Sequence, residues 1–463
     1  MKKNDIVTLE ITALTNEGSG VGRFEGIAVF VPFTAVGDVI SCRIVKALKS
    51  YAYGRVEEIV TPSPDRIEND CPAFGKCGGC VFRHINYGAE LSAKENIVRD
   101  AFQRLGGLSP EFLPICGSGE TEAYRNKLQM PLAKNESGQI VSGFFSERSH
   151  RVIPIEECKL QPKIFSEIVG FIKSRLQAHK ISVYDEQTGN GVMRHIFLRK
   201  GHCSGEVCAV LVAKRKVPEF SKLARELSEK FPEITGVVLN INPEKTNVIL
   251  GEKEIVLYGK SEISDKMCGV SVEISPKSFY QVNTPAAENL YRQAAEFAQP
   301  KGKTVLDLYC GAGTIGLSMV GEAAKIIGAE IVPEAVSNAE RNSQNSGFTN
   351  AEFICADAGK AASMLFERGL SPDVILLDPP RKGCGEETLS ECVKMAPERI
   401  VMISCNPATA ARDCKFLSEN SYQVKTVRAF DLFPRTKHVE CVVLLTKNKR
   451  SANGILLYTS GSS

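Results

Sequence analysis

No apolar run in this sequence reaches the ~18 residues that a membrane-crossing helix requires, and residues 1–10 lack the apolar stretch of a secretory leader. A membrane-spanning or exported protein is therefore not expected. An excess of one charge is missing too: 57 Lys and Arg stand against 54 Asp and Glu, a net charge of +3. Attraction to nucleic acid cannot rest on global charge, so any basic surface must be local. Internal repeats and low-complexity stretches are also absent. Cysteine, by contrast, is plentiful, with 16 in 463 residues. Thiols in a chain without a leader imply a reducing cytoplasm, where they serve as metal ligands, nucleophiles or packing more often than as disulfides. The length suits two or three domains, and 43% hydrophobic with 24% charged residues is ordinary globular composition.

The most informative stretch is Val305-Leu-Asp-Leu-Tyr-Cys-Gly-Ala-Gly-Thr-Ile-Gly-Leu317. Residues 304–308 form a short β-rich apolar run, as in a strand buried within a parallel sheet. Gly311, Gly313 and Gly316 then open a turn where backbone can approach a ligand before a helix begins. As a bare pattern this is G-x-G-x-x-G, the dinucleotide fingerprint, and Glu330 lies about 20 residues on, where a ribose-binding acid belongs. Asp307, four residues before Gly311, tilts the reading. The spacing D-x-x-x-G-x-G resembles motif I of S-adenosylmethionine (SAM) methyltransferases, in which the acid helps place the methionine end; an NAD enzyme is the alternative.

Residues 1–60 hold four strand-like runs between Gly, Asn and Pro breakers, starting at Val7, Gly26, Val39 and Tyr53. A small closed barrel of the OB kind is their natural packing. The line Gly37-Asp-Val-Ile-Ser-Cys-Arg-Ile-Val, a basic Lys46-Ala-Leu-Lys49 and Gly54-Arg-Val resembles a TRAM domain, an RNA-binding barrel. After a Pro-rich linker at 61–66 comes Cys71-Pro-Ala-Phe-Gly-Lys-Cys77-Gly-Gly-Cys80, three thiols on a glycine-rich loop that can converge on one metal. Zinc is one option, although the C-x2-C lacks a matching pair nearby. Cys158 is the best-placed fourth ligand. This spacing resembles the iron–sulfur loop of RNA uridine-C5 methyltransferases.

Residues 89–105 have helical periodicity that Gly106-Gly107 ends. Arg125, Lys127, Arg194 and Arg199 sit on strand-like segments, either as a solvated face or as an RNA-facing surface that contacts phosphates. His195 is expected to be packed. Further sheet is expected at residues 236–242. From residue 271, apolar runs at 304–308, 325–330, 351–355, 373–378 and 399–404 alternate with helical segments, and runs at 423–430 and 438–446 follow. This is the pattern of an open α/β sheet with ligands at the carboxyl strand ends, where Asp307, Glu330, Asp357 and Asp378 fall. The expected organisation is a barrel over 1–60, a central α+β domain with the cysteine cluster over 61–270, a Rossmann-like methyltransferase domain over 271–450, and a loosely ordered tail over 451–463.

Leu376-Leu-Asp378-Pro-Pro-Arg-Lys-Gly383 closes one strand and Val401-Met-Ile-Ser-Cys405-Asn-Pro the next. An acid before Pro-Pro also resembles the motif by which amino-group methyltransferases hold a flipped adenine or cytosine, which would need no cysteine. Uracil C5 is different, because it is not nucleophilic until a thiolate adds to C6. Cys405 at a strand end, beside Asn406, suits that task; Cys384 is taken as incidental.

Taken together, these motifs resemble a bacterial RNA uridine-C5 methyltransferase of the rRNA/tRNA 5-methyluridine family, in the subgroup with a TRAM domain and an iron–sulfur loop. The resemblance spans nearly the whole chain, and no family position holds an incompatible residue. It implies SAM held by Gln281, Tyr309, Glu330 and Asp378 alongside Asp307, Gly311, Gly313 and Asp357. It further implies Cys405 as nucleophile, Glu440 as base, and a 4Fe-4S cluster on Cys71, Cys77, Cys80 and Cys158. Asp378 could touch cofactor, uracil or both, and His438 competes with Glu440 because alternation would put both on one strand face. The expected partner is RNA, with 23S rRNA favoured over tRNA, and the expected state is a cytoplasmic monomer without an obligate protein partner. A catalytically inactive RNA-binding iron–sulfur protein is the reading from another class; intact Cys405 and Glu440 argue against it.

Overall fold

A computed structural model describes residues 1–146 and 149–448. The tail expected over 451–463 lies outside the described residues. By internal contacts the chain forms two compact units, one of Met1–Ile97, Ile115–Asn289 and Asp431–Val439, the other of Val98–Pro114, Leu290–Phe430 and Glu440 onward.

The first unit begins with a closed five-stranded barrel. Its strands are β1 (Ile6–Leu14), β2 (Ser19–Phe24), β3 (Ile27–Pro32), β4 (Val39–Ala47) and β5 (Tyr51–Thr61), in the spatial order β1-β2-β3-β5-β4. Alternation drives the closure: Val7, Leu9, Ile11, Val29, Val31, Ile40, Cys42, Ile44 and Ala52 point inward and are buried. The expected barrel is present with one strand more than the sequence showed. Strand β2, Ser-Gly-Val-Gly-Arg-Phe, has too few apolar residues to stand out. Gly54 faces the interior, where an added Cβ would come within 2.2 Å of the Cys42 sulfur.

Helix α1 (Tyr87–Asp100) follows, then a π-helical turn over Ala101–Leu105 that ends at Gly106, where the sequence places the stop. Next come β6 (Glu111–Cys116), β7 (Lys127–Lys134), β8 (Ile140–Phe145), β9 (Val152–Pro154), α2 (Lys163–Ala178), β10 (Met193–Lys200), β11 (Val207–Ala213), α3 (Glu219–Lys230), β12 (Ile234–Ile241) and β13 (Lys253–Gly259). Seven of these strands make one sheet, β13-β12-β11-β10-β7-β8-β9. Phe165, Ile168, Ile172, Phe220, Leu223 and Leu227 of α2 and α3 pack with Leu128, Ile196, Leu198 and Leu211 to form its core. Because β10 lies inside this sheet with both faces covered, Arg194 and Arg199 are only 3% and 4% exposed. Neither the solvated face nor the RNA-facing surface expected of these two arginines exists. Arg194 instead donates to the carbonyls of Asn242 and Glu244 and stacks over Tyr184, and Arg199 donates to the carbonyl of Ser278. His195 is buried as expected, and burial pushes its pKa down to about 4.

A hairpin, β14 (Ile263–Met267) with β15 (Val270–Ile274), leads to α4 (Thr284–Ala298). The second unit then alternates strand and helix: β16 (Thr304–Leu308), α5 (Thr314–Leu317), β17 (Lys325–Glu330), α6 (Pro333–Asn345), β18 (Ala351–Cys355), α7 (Ala358–Glu367), β19 (Val374–Leu377), α8 (Glu386–Met395), β20 (Arg399–Ser404), α9 (Pro407–Glu419), β21 (Tyr422–Phe430) and β22 (Glu440–Lys447). The sheet order is β18-β17-β16-β19-β20-β22-β21-β6. Strands β16 to β20 are parallel and β22 runs antiparallel between β20 and β21. The seven expected strands are all present. An eighth, β6, joins the edge from far earlier in the chain, and a local sequence pattern carries no sign of that partner. No helix among the described residues is long and apolar enough to cross a membrane.

Candidate active site

The order of the second sheet decides which side chains meet. From β16 the chain winds outward to β17 and β18, then returns to β19 and β20 on the other side, so the strand order reverses between β16 and β19. That switch point is where an open α/β sheet forms a crevice at its carboxyl edge. Glu330, Asp307, Asp378, Cys405 and Glu440 end or follow the adjacent strands β17, β16, β19 and β20 and begin β22. Strands are ~4.8 Å apart, so this row of groups is continuous. Ser404 pairs with Cys441, so the next position sets Cys405 opposite Glu440.

The glycine turn is shaped for close approach. Gly311 and Gly313 have φ of 55° and 77°, and Tyr309 before them has φ of 67°, a costly conformation for an aromatic residue that marks a constrained turn. Gly316 N–H donates 3.0 Å to Asp307 Oδ2, and a Cβ at Gly316 would meet that same oxygen at 2.9 Å. Asp307 Oδ1, by contrast, is buried with no hydrogen-bond partner. Burial first, then Asp378 and Glu330, push the Asp307 carboxyl up to about 8. A buried carboxyl with one unpartnered oxygen at a glycine turn fits a cationic or N–H ligand. This is the observation by which the residues present fit a SAM methionine end. Glu330 Oε2 accepts from Gly311 N–H at 3.1 Å and Oε1 from Val332 N–H at 2.9 Å, which fixes a carboxylate that keeps lone pairs for hydroxyl donors. Tyr309 donates to Thr388 Oγ1 at 3.3 Å.

Asp357 has a local role: it N-caps α7, with Oδ1 accepting from Gly359 N–H at 3.1 Å. Gln281 belongs to the first unit, where its carbonyl accepts from Asn126 Nδ2 at 2.8 Å.

At the other end of the row, Asn406 caps α9 and donates 3.0 Å from Nδ2 to the carbonyl of Arg381, which ties the Asp-Pro-Pro-Arg loop to the cysteine. Burial, then Glu440 and Asp378, raise the Cys405 thiol to about 11, and Arg381 opposes them. Glu440 is 6% exposed, and burial followed by Asp378 raises it to about 8, again opposed by Arg381. Asp378 rises to about 7 through burial. Arg381 is thus the cation shared by thiol and carboxyl. It stands in the Pro-Pro-Arg motif, but sequence gives no sign that it serves Cys405 and Glu440 together. His438 precedes β22, with its ring edge-on to Phe433 at 5.8 Å, so strand alternation does not relate it to Glu440.

Within the first unit, Cys71, Cys77 and Cys158 each raise the Cys80 thiol, which burial above all carries to about 12. The four thiols are therefore within electrostatic reach of one another. Among the described residues, however, no group of three or more His, Cys, Asp or Glu side chains is arranged to hold a metal ion.

The family is now legible from both ends of the chain. Residues 86–448 match the model of the tRNA (uracil-5-)-methyltransferase family and residues 2–56 that of the TRAM domain. The chain is 40% identical over 448 residues to an uncharacterized RNA methyltransferase of Halalkalibacterium halodurans, covering 96% of this chain and 98% of that one. An uncharacterized RNA methyltransferase of Staphylococcus aureus is 38% identical over 445 residues, covering 96% and 98%. Among solved structures, the Pyrococcus abyssi tRNA (uracil-54, C5)-methyltransferase in complex with S-adenosyl-L-homocysteine superposes with a TM-score of 0.76 at 27% identity, covering 95% of this chain and all of that one. The fold and site define a SAM-dependent RNA methyltransferase. The chain belongs to the RNA uracil-5-methyltransferase family and carries a TRAM domain.

Proposed function

We propose that this protein methylates C5 of a uridine in 23S ribosomal RNA, with Cys405 as nucleophile and Glu440 as the base that releases product. The adjacency of Cys405 and Glu440 across β20 and β22 carries the reading. SAM would be held at the switch point by Asp307, Tyr309, Gly311, Gly313, Glu330 and Asp378, with Asp357 as a further contact; bound there, it supplies an electrophilic methyl group. The thiolate of Cys405 adds to uracil C6, which places electron density on C5. Once C5 carries the methyl group, Glu440 takes the C5 proton, the C5–C6 double bond reforms and the thiolate leaves. Arg381 favours the thiolate that both the first and last steps require. A carboxyl near pKa 8 is matched to proton transfer close to neutral pH.

Cys71 and Cys77 both lie close enough to act on the Cys80 and Cys158 thiols, and four neighbouring thiols are what a thiolate-ligated 4Fe-4S cluster would need, so Cys71, Cys77, Cys80 and Cys158 are proposed as its ligands. The cluster's role is structural, because methyl transfer moves no net electrons. Transfer RNA is the second reading of the substrate, favoured by the likeness over 95% of the chain to a tRNA enzyme. Mapping 5-methyluridine in total RNA from cells with and without the protein separates the two. RNA with 5-fluorouridine at the target has no removable C5 proton and is expected to remain joined to the protein in denaturant. Cys405→Ala abolishes the adduct and turnover; full turnover by that variant would refute the mechanism.

A further inference from the structure

The outer wall of the barrel carries an aromatic cluster with no part in the chemistry above. Strands β3 and β5 pair in parallel with Phe30 opposite Tyr53 and Ala28 opposite Tyr51. Val29, Val31 and Ala52 fill the interior, so Phe30, Tyr51 and Tyr53 point outward. Their rings meet at 5.7 Å (Phe30–Tyr51), 5.8 Å (Phe30–Tyr53) and 5.6 Å (Tyr51–Tyr53), with interplanar angles of 66°, 44° and 84°. Tyr53 is 42% exposed. Three large rings gathered on the outside of a small barrel do not stabilise its interior. Their mutual packing also fixes their orientation, so little side-chain freedom remains to be lost on binding.

Cations frame this wall. A bulge at the end of β4 puts Lys46 directly opposite Tyr53, and Arg43 opposes Arg55 on the same pair of strands. On the far side Arg23 of β2 opposes Ala28 of β3, in the row of Tyr51. Lys49 lies in the β4–β5 turn. Glu57 is clamped by Arg43 at 2.8 Å and Arg55 at 3.0 Å, so its charge is already matched, and Glu25 sits apart in the β2–β3 turn. Aromatic faces ringed by cations suit unpaired bases on a phosphate backbone. A duplex hides its bases, and a hydrophobic peptide has no use for the cations. We propose that Phe30, Tyr51 and Tyr53 form a stacking platform for an unpaired stretch of the substrate RNA outside the target uridine, with Lys46, Arg55 and Arg23 meeting its phosphates. The inference rests on the reading of the chain as an RNA enzyme and specifies where and how the barrel takes its share of the substrate.

The chain has no tryptophan, so Tyr53→Trp places a single reporter on the wall. In the full-length protein its fluorescence is expected to be quenched by a single-stranded oligouridylate, less so at higher salt, and not by duplex RNA of equal length. Tyr51→Ser and Tyr53→Ala are expected each to weaken oligouridylate binding about tenfold, in line with a stacked base. On a long RNA substrate they raise KM with kcat unchanged, while an unaltered thermal midpoint shows that the barrel persists. Equal quenching by duplex, unchanged affinity in both variants, or a wall that responds to a protein but not to RNA each overturns the proposal. Because binding is read without turnover, failure of the methylation reading on every RNA tested is a separate result.

Discussion

Replacing Glu440 by Gln keeps the shape of a buried side chain and removes its ionisation, so it tests the base assignment and the electrostatics together. Glu440 is carried from an ordinary carboxyl value of 4.5 to about 8, mainly by burial and next by Asp378. The native state therefore holds this proton more tightly than the unfolded chain does. Its contribution to stability is full below the unfolded value and is lost as pH rises through about 8. Over that window the loss is at most on the order of 4–5 kcal/mol. Glu440→Gln lacks this titration. Thermal melting is expected to show the variant gaining on wild type by several degrees between pH 5 and pH 8.5, at a few degrees per kcal/mol.

Turnover moves the other way. At pH 7 about a tenth of a pKa-8 carboxyl is ionised and at pH 9 about nine tenths, so product release in wild type rises roughly tenfold over that range. The variant is expected to methylate once and stall as a methylated covalent complex on ordinary uridine RNA, with release slowed by about 10²- to 10⁴-fold and flat with pH. A gel-stable adduct on unmodified RNA is the assay, with His438→Ala as the control that still releases product. Normal turnover by Glu440→Gln, or a stability difference that does not change with pH, would refute the reasoning.

Protein purified without oxygen is expected to be brown and to contain iron and sulfide, and Cys158→Ser to bleach it; elemental analysis showing zinc alone would count against the cluster. Arg381→Met removes the cation that opposes burial at Cys405, so alkylation of that thiol by iodoacetamide is expected to slow at every pH from 8 to 10. An unchanged pH profile would remove Arg381 from the mechanism. Lys94 is wholly buried and donates to Glu90 at 2.8 Å, Asp431 at 2.7 Å and the carbonyl of Phe433 at 3.1 Å. Lys94→Met takes the shared cation from buried Asp431 and leaves Glu90 only the more distant Arg435 at 3.5 Å, and denaturant titration is expected to show a loss of about 3–5 kcal/mol.

Local chemistry wrote much of this protein into its sequence. The alternation of the barrel strands, the parallel runs from 304 to 404 and the glycine turn after Leu308 depend on neighbours a few residues apart, and each stands where its pattern places it. The residue types suited to the reaction were equally visible: a thiol after one strand, acids after several others, and three cysteines on one loop. What periodicity could not reach is contact between distant segments. Lys127 and Arg199 have the same look in the sequence as exposed cations. Only the pairing of β10 between β7 and β11 buries Arg199, and burial with like charge lowers Lys127 to about 8. Strand β6 finds β21, and Lys94 finds Asp431, across more than 300 residues. The order of the second sheet was likewise settled only in three dimensions. It set Cys405 beside Glu440 and Asp307 near Asp378, and it buried Asp307 and Glu440. Desolvation then moves three carboxyls towards neutrality, with Asp378 adding like-charge repulsion at Asp307 and Glu440, a property of the assembled site that no residue carries alone.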